Sequence, residues 1–217
     1  MKLAIITPTS YINKFGNQGD FHLALSHLLD RDTPNEYEKA LLESDMQIIL
    51  DNGLFENHVP EGIDSLIAKA KRIKATHFFA PDHLYNKERT QSALENTIHV
   101  LDQQKLVDKI KIAAVVQADN PKDYIRQYID FCNNPDVDLI GLSILSIPKS
   151  FEVETHTNSI TLNRIHLLKK LKELEVKHTD CHMLGLGDNY SDVKFAKDNC
   201  PWVVSNDTSS CFQNGLF

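Results

Sequence analysis

Apolar and polar positions divide the chain into short continuous apolar runs separated by longer stretches with helical spacing. The runs predict strands at Leu3–Thr7, His22–Leu28, Gln47–Leu50, His77–Ala80, Ile112–Val116, Leu139–Ile144, Cys181–Leu184 and Trp202–Ser205. Most are apolar throughout rather than alternating, which suits parallel strands buried on both faces. Helical spacing predicts helices at Glu36–Glu43, Ile63–Ile73, Lys87–Gln104, Pro121–Cys132, Ile160–Leu174 and Ser191–Asp198. Asn120 ahead of Pro121 has the form of an N-cap followed by proline at the first helical position. Eight strands, most followed by a helix, predict a (β/α)8 TIM-like barrel forming one compact domain over residues 1–217. Pro8 to Phe21 shows no clear helix, and a doubly wound open sheet is the alternative.

The polar residues that follow the apolar runs change the picture from fold to chemistry. Asp51 follows the third run in "QIILDNGLFEN", and Asp82 follows the fourth in "FFAPDHL". Gln117 ends the fifth, Gly141-Leu142-Ser143 lies in the sixth, Gly185, Gly187 and Asp188 follow the seventh, and Asp207 lies past the eighth. In a parallel barrel all strand C-termini share one face, so these positions would converge at one mouth. Each has a bland alternative: Asp51 before Asn-Gly is a turn former, Asp82 after Pro81 likewise, and Asp207 caps a turn. An amide ending an apolar run, as Gln117 does, needs several hydrogen-bond partners. Paired carboxylates suit glycosyl chemistry, one attacking the sugar and the other handling the leaving group's proton. An Asp with a Gln also matches a guanine-like edge, the carboxylate accepting from N1–H and the 2-amino group and the amide donating to O6. Phe55 offers either a stacking face or a core ring.

Composition narrows the setting. Hydrophobic residues make up 41% and charged residues 24%, as in ordinary globular chains. The apolar run at Leu3–Ile6 is too short for a signal segment or a membrane span, so a cytoplasmic protein without membrane contact is expected. Cys132, Cys181, Cys200 and Cys211 follow no CxxC spacing and read as thiols of a reducing compartment. A net charge of −7 argues against coating nucleic acid by bulk electrostatics. "KAKRIK" from Lys69, "KLVDKIKI" from Lys105 and "LLKKLKEL" from Leu167 are candidate basic tracks, and each also reads as the solvated face of a helix.

The ordered series "LDNGLFE", "APDHL", "VVQ", "GLS", "MLGLG" and "SNDTSS" resembles the tRNA-guanine transglycosylase family. It is most similar to the small phage-encoded branch that places 7-deazaguanine bases in DNA, with "FHLALSHLL" matching that branch's opening half. The resemblance runs from about Leu3 to Ser210 and implies a barrel that exchanges a base by double displacement, without a cofactor. It implies that Asp207 attacks C1′ of the target guanosine to form a covalent glycosyl-enzyme. Asp51 would protonate departing guanine and later deprotonate the incoming base. Asp82 and Gln117 would read the base edge, Gly141, Leu142 and Gly185 would contact it, and Phe55 and Leu184 would cover its faces. The partners implied are guanine-containing DNA, single-stranded or flipped out, and a 7-deazaguanine base; the acidic net charge and small size leave room for an accessory protein that opens or presents the DNA. The setting implied is a host cytoplasm.

Departures from the family shape the expectation. The tRNA enzymes carry a zinc site of clustered Cys and His beyond the nucleophile, whereas ten residues follow Asp207 here and Cys211 has no neighbouring ligand set. No metal is therefore expected, and DNA is favoured over tRNA. "SILSIP" replaces glycines after the sixth strand, with Ser146 where a base-sensing carboxylate can stand, so a neutral pocket and the nitrile-bearing base preQ0 are expected. The glycine pair after Asp51 is altered to Asn52-Gly53. The alternatives are a tRNA-guanine transglycosylase without the zinc module, a silent nucleic-acid-binding subunit, and a metal-dependent hydrolase using Asp82-His83 and His182. His22 and His27, on one predicted strand at odd spacing, would face opposite sides.

Overall fold

The computed structural model describes residues 1–29, 36–106 and 109–209; Ser210, Cys211 and residues 107–108 of the second basic stretch lie outside these. The strands are β1 (Lys2–Ile5), β2 (His22–Ala24), β3 (Ile48–Leu50), β4 (His77–Phe79), β5 (Lys111–Val115), β6 (Leu139–Ser143), β7 (Cys181–Leu184) and β8 (Val203–Thr208). The helices are α1 (Ile12–Phe15), α2 (Glu36–Glu43), α3 (Leu54–Asn57), α4 (Ile63–Arg72), α5 (Lys87–Gln103), α6 (Pro121–Cys132), α7 (Ser146–Thr155), α8 (Ile160–Lys172) and α9 (Ser191–Asn199). All strand pairings are parallel, in the order β1-β8-β7-β6-β5-β4-β3-β2, which gives a nearly closed (β/α)8 barrel rather than a doubly wound sheet.

The seam lies between β1 and β2, and one loop residue stitches it. Asp20 donates its N–H to Leu3 O at 2.7 Å, and its Oδ2 accepts from Leu3 N at 2.8 Å. A Cβ at the preceding Gly19 would stand 2.8 Å from Leu3 O, so only glycine lets the loop lie this close to β1. The Pro8–Phe21 connection holds short helical turns, including α1, in place of a full crossover helix.

Alternate strand residues face opposite ways and build two cores. Leu50, Phe78, Ile112, Leu142 and Met183 face outward beneath the helices. Ala4, Leu23, Ile49, Phe79, Ala113 and Val115 face inward around Phe21. Two residues beyond Ala4, Leu23, Ile49 and Val115 come Ile6, Leu25, Asp51 and Gln117, all lining the same cavity at the C-terminal mouth. The period-2 pleat that packs the core therefore also aims the polar residues.

Three differences from the sequence pattern bear on the site. The second run is a strand only to Ala24, and Ser26–Leu28 forms a 3-10 turn, so His22 and His27 do not share a strand. Helix α7 was hidden because Pro148 interrupts its pattern; proline is tolerated in the first turn, where no intrahelical N–H bond is lost. Strand β8 runs to Thr208 through a polar stretch, so Asp207 sits within it, opposite Ala4, and is not a turn cap.

Candidate active site

The mouth holds a cavity of ≈ 310 Å³, within the usual range for small-ligand sites. Asp51, Asp82, Gln117, Phe55, Leu184, Gly185 and Asp207 all line it, drawn together from β3, β4, β5, β7, β8 and the segments following them. Gly141 and Leu142 do not. Gly141 sits one layer lower, where a Cβ would stand 3.0 Å from each of Phe79, Val115 and Leu184, and its carbonyl accepts from Val116 N. Leu142 is buried toward the helices. Ser143, Ile144 and Leu145 are the residues of this segment that reach the cavity.

Asp51 is both a turn former and a cavity residue. Its N–H donates to Ala24 O at 2.8 Å, extending the β2–β3 ladder, and its Oδ2 accepts from Gly53 N at 2.8 Å. Gly53 has φ +76°, and a Cβ there would stand 2.7 Å from Ser26 Oγ. Burial raises the Asp51 carboxyl to about 7, with the Glu56, Asp82 and Asp207 carboxylates adding to the rise and the Gly53 N–H opposing it. The group therefore titrates at neutral pH, as a proton-transfer residue must.

Asp82 is buried and gripped from both sides. Asn52 Nδ2 donates to Oδ1 at 2.6 Å and Gln117 Nε2 donates to Oδ2 at 2.5 Å. Burial raises this carboxyl to about 6 against those two hydrogen bonds. Asn52 spends its remaining capacity on Ala80 O and Leu54 N, so it has a structural role: it aims Asp82. Gln117 Oε1 accepts from Tyr85 N at 3.3 Å. Its second amide hydrogen is free to meet a ligand acceptor.

Asp207 is buried, with both its hydrogen bonds on one oxygen. Oδ1 meets His182 Nε2 at 3.0 Å and accepts from Gly185 N at 2.8 Å. Oδ2 has no partner among the described residues. Gly185 has φ +71°, and a Cβ there would stand 2.7 Å from Ile144 Cδ1, so glycine is required to present that N–H. Asn206 Nδ2 donates to the Met183 and Gly185 carbonyls and ties β8 to the end of β7. Fully buried Arg164 on α8 donates to the Leu142, Leu184 and Gly185 carbonyls and pairs with Asp192 at 3.0 Å.

Phe55 stands on the rim, 61% exposed on α3, and is not a core ring. Glu56 also lines the cavity; its Oε2 is buried without a hydrogen-bond partner, 3.8 Å from His27 Nδ1. Ser146 is fully buried away from the cavity, its Oγ donating to Val116 O, so it senses no ligand. With Asp51, Glu56, Asp82 and Asp207 in the wall, the expectation of a neutral pocket does not hold. None of the described lining residues is Lys, Arg or His, so the cavity suits a donor-rich group and not a phosphate.

Sequence reasoning assigned no role to Asn52, Glu56 and Asn206, although each adjoins a site residue in the chain, or to Arg164, which only the fold brings here from α8. His182 is a fully buried core histidine, yet it touches Asp207. Asp82, His83 and His182 form no metal-holding group, and none exists among the described residues. His83 faces a separate depression beside Glu88 and Arg89. The first basic track is not solvated throughout: Lys69 is buried, ion-paired with Glu61 and donating to Ser26 O. Among the described residues no helix is long and apolar enough to cross a membrane. No protein-family model matches the chain, and no curated protein is similar to it at a significant level.

Proposed function

We propose that this protein is a DNA-guanine transglycosylase, exchanging guanine in DNA for a 7-deazaguanine base. The observation that carries the reading is the pairing of Asp51 and Asp207 across one cavity. One carboxyl is held near 7 and can donate a proton; the other leaves one oxygen without a hydrogen bond among the described residues. Such asymmetry suits a retaining two-step displacement. The resemblance to the phage-encoded branch supplies the polymer and the base class.

In the first step Asp207 Oδ2 attacks C1′ while the C1′–N9 bond breaks. The electron pair leaves with guanine, which takes a proton from Asp51. In the second step Asp51 accepts a proton from the incoming base, whose nitrogen attacks C1′, and the C1′–Oδ2 pair returns to Asp207. Asp82 accepts from the base's N1–H and 2-amino group, Gln117 donates to O6, and Phe55 and Leu184 cover the two faces. The base must be flipped or unpaired to enter.

The test is base exchange with protein incubated separately with single-stranded DNA, duplex DNA and tRNA, each labelled at guanine. Nitrile- and aminomethyl-bearing deazaguanines are both supplied, because Glu56 is a further acidic residue in the cavity wall. Label release from DNA supports the reading. Release from tRNA alone reassigns the polymer, and release from none, with host lysate added, overturns it.

A further inference from the structure

Beneath Asp207 lies a chain of polar contacts that the two-carboxylate mechanism does not use. His182 is fully buried between Phe21 and Phe79, with ring centroids at 5.8 Å and 6.0 Å. Its Nδ1 lies 2.9 Å from Ser205 Oγ and its Nε2 lies 3.0 Å from Asp207 Oδ1. An imidazole walled in by aromatic rings is held in one orientation by its two polar neighbours alone. A carboxylate only accepts, so Nε2 carries the hydrogen that Asp207 receives, and the Ser205 hydroxyl donates to Nδ1.

The strand geometry assembles this chain. His182 and Ser205 are register partners on β7 and β8, after an irregularity that sets Val204 between the pairs Cys181–Val203 and His182–Ser205. Such a bulge re-aims the residues beyond it. Ser205 and Asp207 then follow at an interval of two and point into the barrel. The residues are those of a hydrolase triad, but their direction is reversed. Neither Ser205 nor His182 lines the cavity; only the carboxylate does.

Building on the proposed transglycosylase reading, we infer that the Ser205–His182 pair is a positioning relay that selects Oδ2 of Asp207 as the attacking oxygen. His182 Nε2 and Gly185 N both engage Oδ1, fixing the carboxylate plane and leaving Oδ2 toward the cavity. In the covalent intermediate Oδ2 is bonded to C1′ and Oδ1 is the ester carbonyl oxygen. When the incoming base attacks, the C1′–Oδ2 pair returns and charge spreads onto Oδ1. There the two N–H groups already wait, so they stabilise the departing carboxylate without reorganisation. The relay thus acts mainly on turnover and little on base affinity.

His182→Phe keeps the ring packing and deletes both nitrogens, whereas His182→Gln can return an N–H near the Nε2 position. The relay predicts that His182→Phe lowers kcat about 10²-fold, the scale of a misplaced reacting group, with KM for the base unchanged. His182→Gln should recover most of the loss. Full kcat in His182→Phe overturns the inference. Should His182→Phe fail to fold, Ser205→Ala serves instead: reduced kcat with unchanged KM supports the relay, and unchanged kcat overturns it. Nitrogen NMR of the imidazole needs no turnover. The relay predicts a single Nε2–H tautomer that is lost or shifted in Asp207→Ala, and an unaffected ring overturns it. Protein that shows this NMR signature but exchanges no base retains the relay while the transglycosylase reading fails.

Discussion

Asp51→Asn tests the electrostatics of the site without assuming a substrate. The carboxyl is raised from 3.8 to about 7 in the folded protein, mainly by burial and then by Glu56. Between these values the folded state holds a proton that the unfolded chain has released, so stability falls as pH rises through this window. A shift of a little over three units, at 1.36 kcal/mol each, corresponds to about 4 kcal/mol withheld above pH 7. Between pH 5 and pH 8.5 about 2–3 kcal/mol of that is lost, because part has already been lost at pH 5. Asparagine cannot ionise, and its carbonyl oxygen can still accept from Gly53 N. Urea unfolding at the two pH values should therefore show the variant gaining about 2–3 kcal/mol on the wild type as pH rises. Asp82 titrates in the same direction but is present in both proteins and cancels to first order. Parallel pH dependences for the two proteins would refute the assignment of a neutral-range carboxyl to Asp51. In the exchange assay the same group predicts a rate of guanine release that falls as pH rises through about 7. Glu56→Gln should move that fall to lower pH.

Three other outcomes follow from particular contacts. Gly185→Ala, forced against Ile144 at a positive φ, should cost about 1–3 kcal/mol in thermal or urea unfolding, and exchange should fall further as the N–H leaves Asp207. Phe55→Ala should leave the melting temperature unchanged, since the ring is exposed, while weakening binding of a single-stranded oligonucleotide by about 1–3 kcal/mol in a titration. Gln117→Ala removes one grip on Asp82 and the O6 donor together; KM for the base should rise by about 10- to 100-fold, with a smaller change in kcat.

The barrel was legible because burial on both faces makes its strands continuous apolar runs, and because caps such as Asn120 mark the helix starts. The mouth was legible for the same reason: a polar residue such as Asp51 or Gln117 directly after an apolar run stands at a strand tip. Strand β8 was read short because its upper half carries Asn206 and Asp207; Asn206 Nδ2 is satisfied by the Met183 carbonyl and Asp207 Oδ1 by His182 and Gly185. No apolar pattern can announce such a strand. Gly141 and Leu142 were aligned by motif, whereas the pleat places Gly141 in the packed layer below and the following residues at the cavity. Arg164 was invisible, since an arginine in the helical run "LNRIHLLKK" reads as surface, and the carbonyls at the ends of β6 and β7 together with the buried Asp192 carboxylate explain its burial.

In the proposed reaction Asp207 becomes covalently bonded to C1′ of a nucleotide. The most direct test of this bond is intact-mass spectrometry of protein quenched with acid after mixing with a guanine-containing single-stranded oligonucleotide in the absence of acceptor base. The expected product is a species heavier by the oligonucleotide less one guanine, with the modified peptide mapping to Asp207 and absent from Asp207→Asn. Guanine release without such an adduct, or an adduct that persists in Asp207→Asn, would contradict it.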